Sequence, residues 1–401
     1  MALPKVSPLN LTDFDISPEH GFLSSRDPLA RLSEDSPLNE LGRELPKLLA
    51  ARQFRSYVQT HPSLLSGPEA ARNPDELRCA ARTLSFAGHG YVWEEPHRPA
   101  GRLPASLAVP WHHVMKRLGR PPVLSYASYA LDNWRRLDPA QPIALGNIAL
   151  LQNFFGGLDE EWFVLIHVDI EAKAGPALAG LVQAINAACG DDPDEVMRGL
   201  QGAAAAKERM YNTLLRMPEG CDPYIYFHRV RPYIHGWKDN PALPHGVVYE
   251  GVEEFHDKPQ QFRGETGAQS SIIPSLDAAL GVRHEAGPLT HYLQEMREYM
   301  PPKHRAFIAT LESFHDEQDR TVLWGYVRDR KQKNPKLWEA FCECIRRLAR
   351  FRETHYDYAD RYIHQQSQRS LSNPTGVGTG GTPFMTYLKK HLDETLQLLE
   401  Q

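Results

Sequence analysis

A long apolar stripe near residue 350 constrains the fold of this chain more than any other feature. Apolar and aromatic side chains recur every three or four residues, at Leu337, Phe341, Ile345, Leu348, Phe351, His355, Tyr358 and Tyr362. This spacing predicts a helix with one face turned inward, and it places His355 on that face. A lone histidine there is usually a hydrogen-bonded core residue, but neutral imidazole is also a common metal ligand. Both interpretations stay open on spacing alone.

The size and charge of the chain narrow its class. Its 401 residues exceed the size at which one hydrophobic core stops growing, so we expect two domains, or one large and one smaller domain. A net charge of −5 with 41% hydrophobic residues argues against a nucleic-acid binder, which needs a basic face. No run of about eighteen apolar residues is present, and the N-terminal stretch lacks a secretory pattern. We therefore expect a cytoplasmic protein without a membrane segment.

Helical periodicity dominates the rest of the chain, whereas few stretches alternate with a period of two. It predicts a helix over 123–137, a second over 162–187 that Pro176 interrupts, and a final amphipathic helix over 384–399. Between 365 and 383 the residues are mainly Gln, Ser, Asn, Gly and Thr, which predicts a mobile loop containing Gly378, Thr379 and Gly380. The fold class predicted is all-α.

One arginine is embedded in an aromatic stretch. Arg231 follows Tyr226 and Phe227 and precedes Tyr233 and Trp237. Arginine is well suited to hold a carboxylate with two parallel hydrogen bonds, so a carboxylate-binding site is one interpretation. The alternative is a structural ion pair, or a guanidinium stacked on a ring.

A short motif offers a different metal site. His167 and Asp169 match the His-x-Asp half of a two-histidine, one-carboxylate iron site. Such a motif normally lies on a strand, whereas this segment reads as a helix, on which residues two apart face different directions. A non-haem oxygenase is therefore the weaker interpretation.

A turn of small residues, 266–271, leads into the helix that carries Asp277. Thr266 and Gly267 would allow a close backbone approach and supply hydrogen-bond donors at the edge of a cofactor, and a helix cap is the compatible alternative. The glycine-rich stretches lack the Gly-Lys-Ser/Thr ending of a phosphate loop, so nucleotide binding is disfavoured.

Several longer motifs, in one order, resemble those of the indoleamine 2,3-dioxygenase family. They are residues 231–251, Gln269-Ser270-Ser271, Asp277 with Leu280-Gly281, residues 296–305, His355, and the Gly-Thr-Gly-Gly run from Gly378. The resemblance extends more faintly upstream and covers most of the chain beyond residue 75.

The resemblance implies an all-helical protein that holds haem b between a small domain, here 1–145, and a large domain, 146–401. His355 matches the proximal iron ligand, and Arg352 matches a residue that meets a haem propionate. Arg231 matches the residue that binds the substrate carboxylate, and Thr379 lies in the loop that closes over the substrate. The implied partners are L-tryptophan or a related indole, dioxygen and a reductant, and we expect a monomer.

The candidates for the substrate pocket depart in part from the family pattern. They are Tyr126, Phe163, His167, Tyr226, Phe227, Thr266, Gly378 and Gly380. Tyr226 stands where the family usually has phenylalanine, and Thr266 stands where serine is common. His167 occupies a position that often carries a small hydroxyl residue, and its imidazole could hydrogen-bond the indole N–H. A core histidine is the alternative.

We therefore expect a haem-dependent dioxygenase, with ferrous iron, that cleaves the indole C2–C3 bond of L-tryptophan or a close analogue to give N-formylkynurenine. One alternative is an enzyme of the same fold that oxidises or rearranges a tryptophan derivative. The other is a haem-binding sensor or carrier without turnover.

Overall fold

The computed structural model describes residues 8–61, 71–369, 379 and 384–400, and most of them lie in helices. The helices of the first half are α1 Pro37–Ala50, α2 Phe54–Thr60, α3 Pro74–Trp93, α4 Ala105–Arg117, α5 Leu158–Cys189, α6 Pro193–Leu214, α7 Met217–Gly220, α8 Pro223–Ile225 and α9 Arg231–Ile234. Those of the second half are α10 Ile272–Leu280, α11 Pro288–Arg297, α12 Pro302–Ser313, α13 Val322–Asp329, α14 Pro335–Ala359, α15 Gln365–Arg369 and α16 Phe384–Gln397.

The strands are few and short. Strand β1 (Arg102–Leu103) pairs in parallel with β4 (Val248–Tyr249), and β2 (Trp134–Arg136) pairs antiparallel with β3 (Ile148–Leu150). The prediction of an all-α fold is confirmed. Within the described ranges, no helix is both long and apolar enough to span a bilayer.

Helix α14 carries the apolar stripe predicted from the sequence. Asn334 caps its N-terminus by accepting a hydrogen bond from the backbone N–H of Leu337. Leu337, Phe341, Ile345 and Leu348 are buried, and the helix packs against α6 and α16. The inward face continues to His355, which meets a cavity instead of packed side chains.

Helix α5 is longer and more continuous than predicted, because Pro176 does not interrupt it. A proline inside a helix costs roughly 3 kcal/mol. Here the helix is held on several sides: Gly175 lies directly against the backbone of Glu19 and Gly21, and α6 packs along the opposite face. Burial on both sides offsets the missing hydrogen bond.

The predicted helix over 123–137 is wrong. Only a π-helical turn, Ala127–Leu131, forms there, and the chain then enters β2. The Asn133 side chain donates to the carbonyl of Gln152 and accepts from its N–H, which fixes β2 beside β3. These partners are distant in sequence, so periodicity did not show them. The aromatic residues Tyr126 and Tyr129 are nevertheless buried, as expected.

Helices α5 and α6 cross at a contact between two glycines. A Cβ atom on Gly199 would lie 2.5 Å from the carbonyl oxygen of Gly180 and 2.9 Å from the backbone nitrogen of Ala184. The two backbones therefore touch, which brings α5 and α6 together as adjoining walls of the site.

This contact yields a prediction with a control in the same helix. Gly199→Ala should destabilise the protein by about 1–3 kcal/mol, because overpacking forces the helices apart. Gly202→Ala, at a position where a Cβ meets nothing within 4 Å, should stabilise it by about 0.5–1 kcal/mol through helix propensity. Urea unfolding measures the free energy of unfolding of both variants. Equal changes in the same direction would contradict the close contact.

Candidate haem and substrate site

A cavity of about 660 Å³ lies between α5, α6, α10, α14 and α16. Its size is within the range typical of small-molecule and cofactor sites. Nine of the residues predicted for the site line it: Tyr126, Phe163, His167, Tyr226, Thr266, Gly267, Arg352, His355 and Thr379. The fold thus brings together residues from six separate parts of the sequence.

The His355 imidazole lies on the lining of this cavity, and its surface is exposed there. Burial, together with the neighbouring His167 and Arg352, lowers its pKa to about 4. The ring is therefore neutral at physiological pH. Neutral imidazole is the form that binds a metal ion.

His167 approaches the same cavity from α5. Its Nδ1 lies 2.7 Å from the backbone carbonyl oxygen of Phe163, so this nitrogen carries the proton and donates. Burial lowers the pKa of His167, which keeps the ring neutral and leaves Nε2 as an acceptor. The ring centre is 6.0 Å from that of Tyr126 and 4.7 Å from that of Phe163.

Aromatic rings continue from Phe163 along the cavity lining. The Phe163 and Tyr226 rings are 4.6 Å apart between centroids, and Tyr226 lies 5.9 Å from Tyr362. Tyr226 is placed by a π-helical turn, Tyr226–Val230. Its hydroxyl is protonated, because burial raises its pKa well above the usual range.

Arg231 and Phe227 lie behind this wall rather than on the described lining of the cavity. Both side chains are fully buried, and the Arg231 guanidinium carbon is 5.2 Å from the centroid of the Phe227 ring. Burial lowers the pKa of Arg231 to about 10, so the group stays charged at neutral pH. The guanidinium therefore does stack on a ring, and its contact with a substrate stays a prediction.

Arg352 links three helices that line the cavity, α14, α10 and α16. From α14 its guanidinium donates to Asp277 of α10 at 2.6 Å and to the hydroxyl of Thr395 of α16. Burial would raise the pKa of Asp277, but Arg352 and His284 together hold it below its usual range. The pair is almost completely buried, with side-chain exposures of 6% and 9%.

The loop after α9 forms another edge of the cavity. Thr266 begins the turn Gly267–Gln269, with its hydroxyl accepting from the N–H of Ala268 at 3.4 Å. Thr379 donates from its hydroxyl to the backbone carbonyl of Glu265 at 2.6 Å. The predicted pocket residues Gly378 and Gly380 lie outside the described residues.

Glu265 and His391 are among the lining residues that sequence reasoning missed. Burial raises the pKa of Glu265 to about 8, and burial lowers the pKa of His391 to about 3. Nothing around Glu265 marks it as buried, because it lies in a polar loop. His391 could have been found, since it follows Tyr387 at helical spacing on the inward face of α16.

The structure contradicts the non-haem iron interpretation. Asp169 points away from the cavity, where it is buried and accepts hydrogen bonds from Lys173 and Thr213. Across the described part of the chain, no group of three His, Cys, Asp or Glu side chains is arranged to hold a metal ion. The helical spacing of His167 and Asp169 separates them, as expected.

Comparison with protein families identifies the family of the chain. Residues 10–398 match the family model described as indoleamine 2,3-dioxygenase. The chain belongs to the indoleamine 2,3-dioxygenase family. The resemblance inferred from the motifs is thereby confirmed, and so is the predicted enzyme class, a haem dioxygenase.

Three relatives illustrate the range of similarity. Indoleamine 2,3-dioxygenase 1 of Rattus norvegicus is 35% identical, over 97% of this chain and 95% of the relative. Indoleamine 2,3-dioxygenase 2 of Homo sapiens is 34% identical, with the same two coverages. A protein named myoglobin, from Haliotis madaka, is 30% identical over 96% of this chain and 98% of its own length.

The buried charge pair gives a prediction for this site. Asp277→Asn should destabilise the haem-free protein by about 3–5 kcal/mol, because it leaves the Arg352 charge buried without its counter-charge. Glu312→Gln, which breaks a partly exposed pair with Arg297, should cost only about 0–1 kcal/mol. Urea unfolding measures the free energy of unfolding of both variants. Similar decreases would show that the buried Arg352–Asp277 pair contributes no more to stability than the partly exposed pair.

Proposed function

We propose that this chain is a haem-dependent dioxygenase that cleaves the indole C2–C3 bond of L-tryptophan or a close analogue. The observation that carries the proposal is the neutral His355 imidazole, which faces an aromatic cavity that also holds His167. One oxygen atom joins each carbon as the bond between them breaks, which gives an N-formylkynurenine product. Both oxygen atoms enter the product, so the reductant serves only to keep the iron ferrous.

The residues present fit haem b. His355 supplies one neutral nitrogen ligand, and the charged Arg352 on the lining suits a propionate. Thr266 has a small side chain and Gly267 has none, so both would leave space at the cavity edge. Ferrous haem bound at His355 would supply the site at which dioxygen is activated.

The remaining groups bind and orient the substrate. Tyr126, Phe163 and Tyr226 would pack around the indole ring and exclude water. The Nε2 atom of His167 would accept a hydrogen bond from the indole N–H, because Nδ1 is already committed to Phe163.

The amino-acid end of the substrate would lie nearer Arg231. Its guanidinium, supported by the ring of Phe227, would bind the substrate carboxylate. The Thr379 hydroxyl would meet the substrate ammonium group after leaving the Glu265 carbonyl. Gly378 and Gly380 flank Thr379, and their backbones would let this loop cover the substrate.

The wider setting of the enzyme is also a proposal. We assign residues 1–145 to a small domain that covers the distal side of the haem and residues 146–401 to a large domain that carries it. We propose a monomer that works in the cytoplasm, with no membrane or nucleic-acid partner.

Labelled dioxygen tests the function directly. The haem-loaded, reduced protein is mixed with L-tryptophan and ¹⁸O₂, and the products are weighed by mass spectrometry. Gain of two labelled oxygen atoms per product supports the dioxygenase. Haem that is present and reduced while tryptophan stays unchanged rules out tryptophan as the substrate.

A second candidate is an oxygen-binding haem protein without turnover. The specific observation in its favour is the similarity to the Haliotis madaka protein named myoglobin, which extends over nearly the whole chain. Reversible oxygen binding, with no consumption of oxygen when indoles are added, would favour this candidate over the enzyme.

The assignment of His355 is tested by His355→Ala. The variant should lose most of its haem, and added imidazole should restore binding, because it fills the space left by the ring. His315→Ala, also on the cavity lining but partly exposed, should keep its haem. Full haem occupancy and an unchanged spectrum of the ferrous CO complex in His355→Ala would show that another residue binds the iron.

The role of Arg231 is tested by Arg231→Leu. Binding of L-tryptophan should weaken by about 2–4 kcal/mol, the scale of a buried charge-assisted hydrogen bond. Tryptamine has the same ring and ammonium group but no carboxylate, so its affinity should change little. Absorbance titrations of the haem give the dissociation constants of both ligands. Equal losses of affinity for L-tryptophan and tryptamine would indicate a structural role for Arg231.

A further inference from the structure

His284 lies on the cavity lining between two buried carboxylates that belong to different helices. Its Nδ1 is 2.5 Å from Oε2 of Glu394 on α16, and its Nε2 is 3.4 Å from Oδ2 of Asp277 on α10. A neutral imidazole has only one N–H, so it could donate to one of these carboxylates and would turn a lone pair toward the other. Only the imidazolium donates to both, and the geometry is therefore that of a protonated histidine.

The His284 ring is also fixed by its neighbours. The centroids of the His284 and His391 rings are 4.6 Å apart, and the two planes differ by 23°. Burial, together with Arg352 and His284, lowers the pKa of His391 to about 3, so this second ring is neutral and adds no like charge. The N–H of Glu285 donates to Oε1 of Glu394 at 3.1 Å, which fixes the backbone beside the ring.

The charges around His284 balance only when this histidine carries its proton. The charged groups that face it are Asp277 of α10, Arg352 of α14, Lys390 and Glu394 of α16, and Glu285 beside it in the chain. Three of these groups are carboxylates and two are cations. Burial lowers the pKa of His284, but the hydrogen bonds to Asp277 and Glu394 outweigh this effect and raise the pKa above its usual value.

His284 thereby connects two sides of the cavity. Helix α16 contributes Tyr387, Leu388 and His391 to the lining, and Asp277 is the carboxylate that accepts from Arg352. Without its proton, His284 would give up one charge-assisted hydrogen bond between these sides.

We propose that His284 is a positioning residue for the cofactor: its imidazolium joins Asp277 to Glu394, holds α16 against α10, and slows the loss of haem. Because a histidine proton comes off near neutral pH, the retention of haem then depends on pH. This proposal rests on the haem binding proposed above.

The rate of haem loss tests the proposal. The ferric, haem-loaded protein is mixed with an excess of a globin apoprotein that takes up free haem, and absorbance follows the transfer from pH 6 to pH 9. Because the pKa of His284 is raised, its stabilising effect is complete below about pH 6.5 and is lost as the pH rises through the higher pKa of the folded protein. The rate should therefore rise by about tenfold over this range.

Three variants assign the change to His284. His284→Gln should lose haem rapidly with little dependence on pH, whereas His315→Gln, which alters a partly exposed histidine on the same lining, should behave as the wild type. Glu394→Gln should move the midpoint of the profile to lower pH, because one of the two acceptors has lost its charge. Glu265, with a pKa of about 8, also titrates in this range, and His284→Gln leaves its contribution in place.

Other results would overturn the proposal. A wild-type rate that stays constant from pH 6 to pH 9 would do so, and so would a full pH profile in His284→Gln. A faster loss in Glu394→Gln with an unchanged midpoint would show that the contact is structural only. If the protein binds no haem, the proposed function fails, and urea unfolding of the haem-free protein then decides the role of the proton: stability should fall above about pH 6.5 in the wild type and less in His284→Gln.

Discussion

The buried ion pair between Arg352 and Asp277 is the interaction on which the rest of the site depends. It joins α14 to α10, and the same guanidinium reaches α16 through Thr395. His355 is on α14 one turn after Arg352, so its direction is set where the pair holds that helix. The Arg352 side chain also lies on the cavity lining, so the same residue can stabilise the fold and contact a cofactor.

The ionisation of the cavity follows from burial more than from contacts between charges. The histidines at the two sides, His355 and His167, are kept neutral. Burial raises the pKa of Glu265 to about 8, so this carboxyl group carries less charge than an exposed one. Arg231 keeps its charge, because its pKa is still about 10. The site is therefore a weakly polar cavity with a positive charge, that of Arg231, behind its aromatic wall, which suits an apolar ring attached to an acid group.

The features that local sequence could predict are those that depend on periodicity. The helix carrying His355 was predicted because its apolar spacing is regular over 26 residues, from 337 to 362. The prediction of a helix over 123–137 was wrong because the Asn133 side chain hydrogen-bonds to Gln152, a residue distant in sequence, and local spacing does not show this contact. Pro176 led to the wrong prediction of an interrupted helix, because tertiary packing outweighs the free-energy cost of one proline. The place of Glu265 in the site could not be predicted for a related reason, because only the assembled fold buries this residue.

The position of α16 has a consequence for how the protein matures. This helix contributes Phe384, Tyr387, Leu388 and His391 to the cavity, and its Thr395 accepts from Arg352. A ribosome-bound chain that has been made only as far as α15 lacks one side of the cavity and one partner of the Arg352 guanidinium. The cavity that would receive haem is therefore complete only once residues 384–397 have been made and have packed against α14.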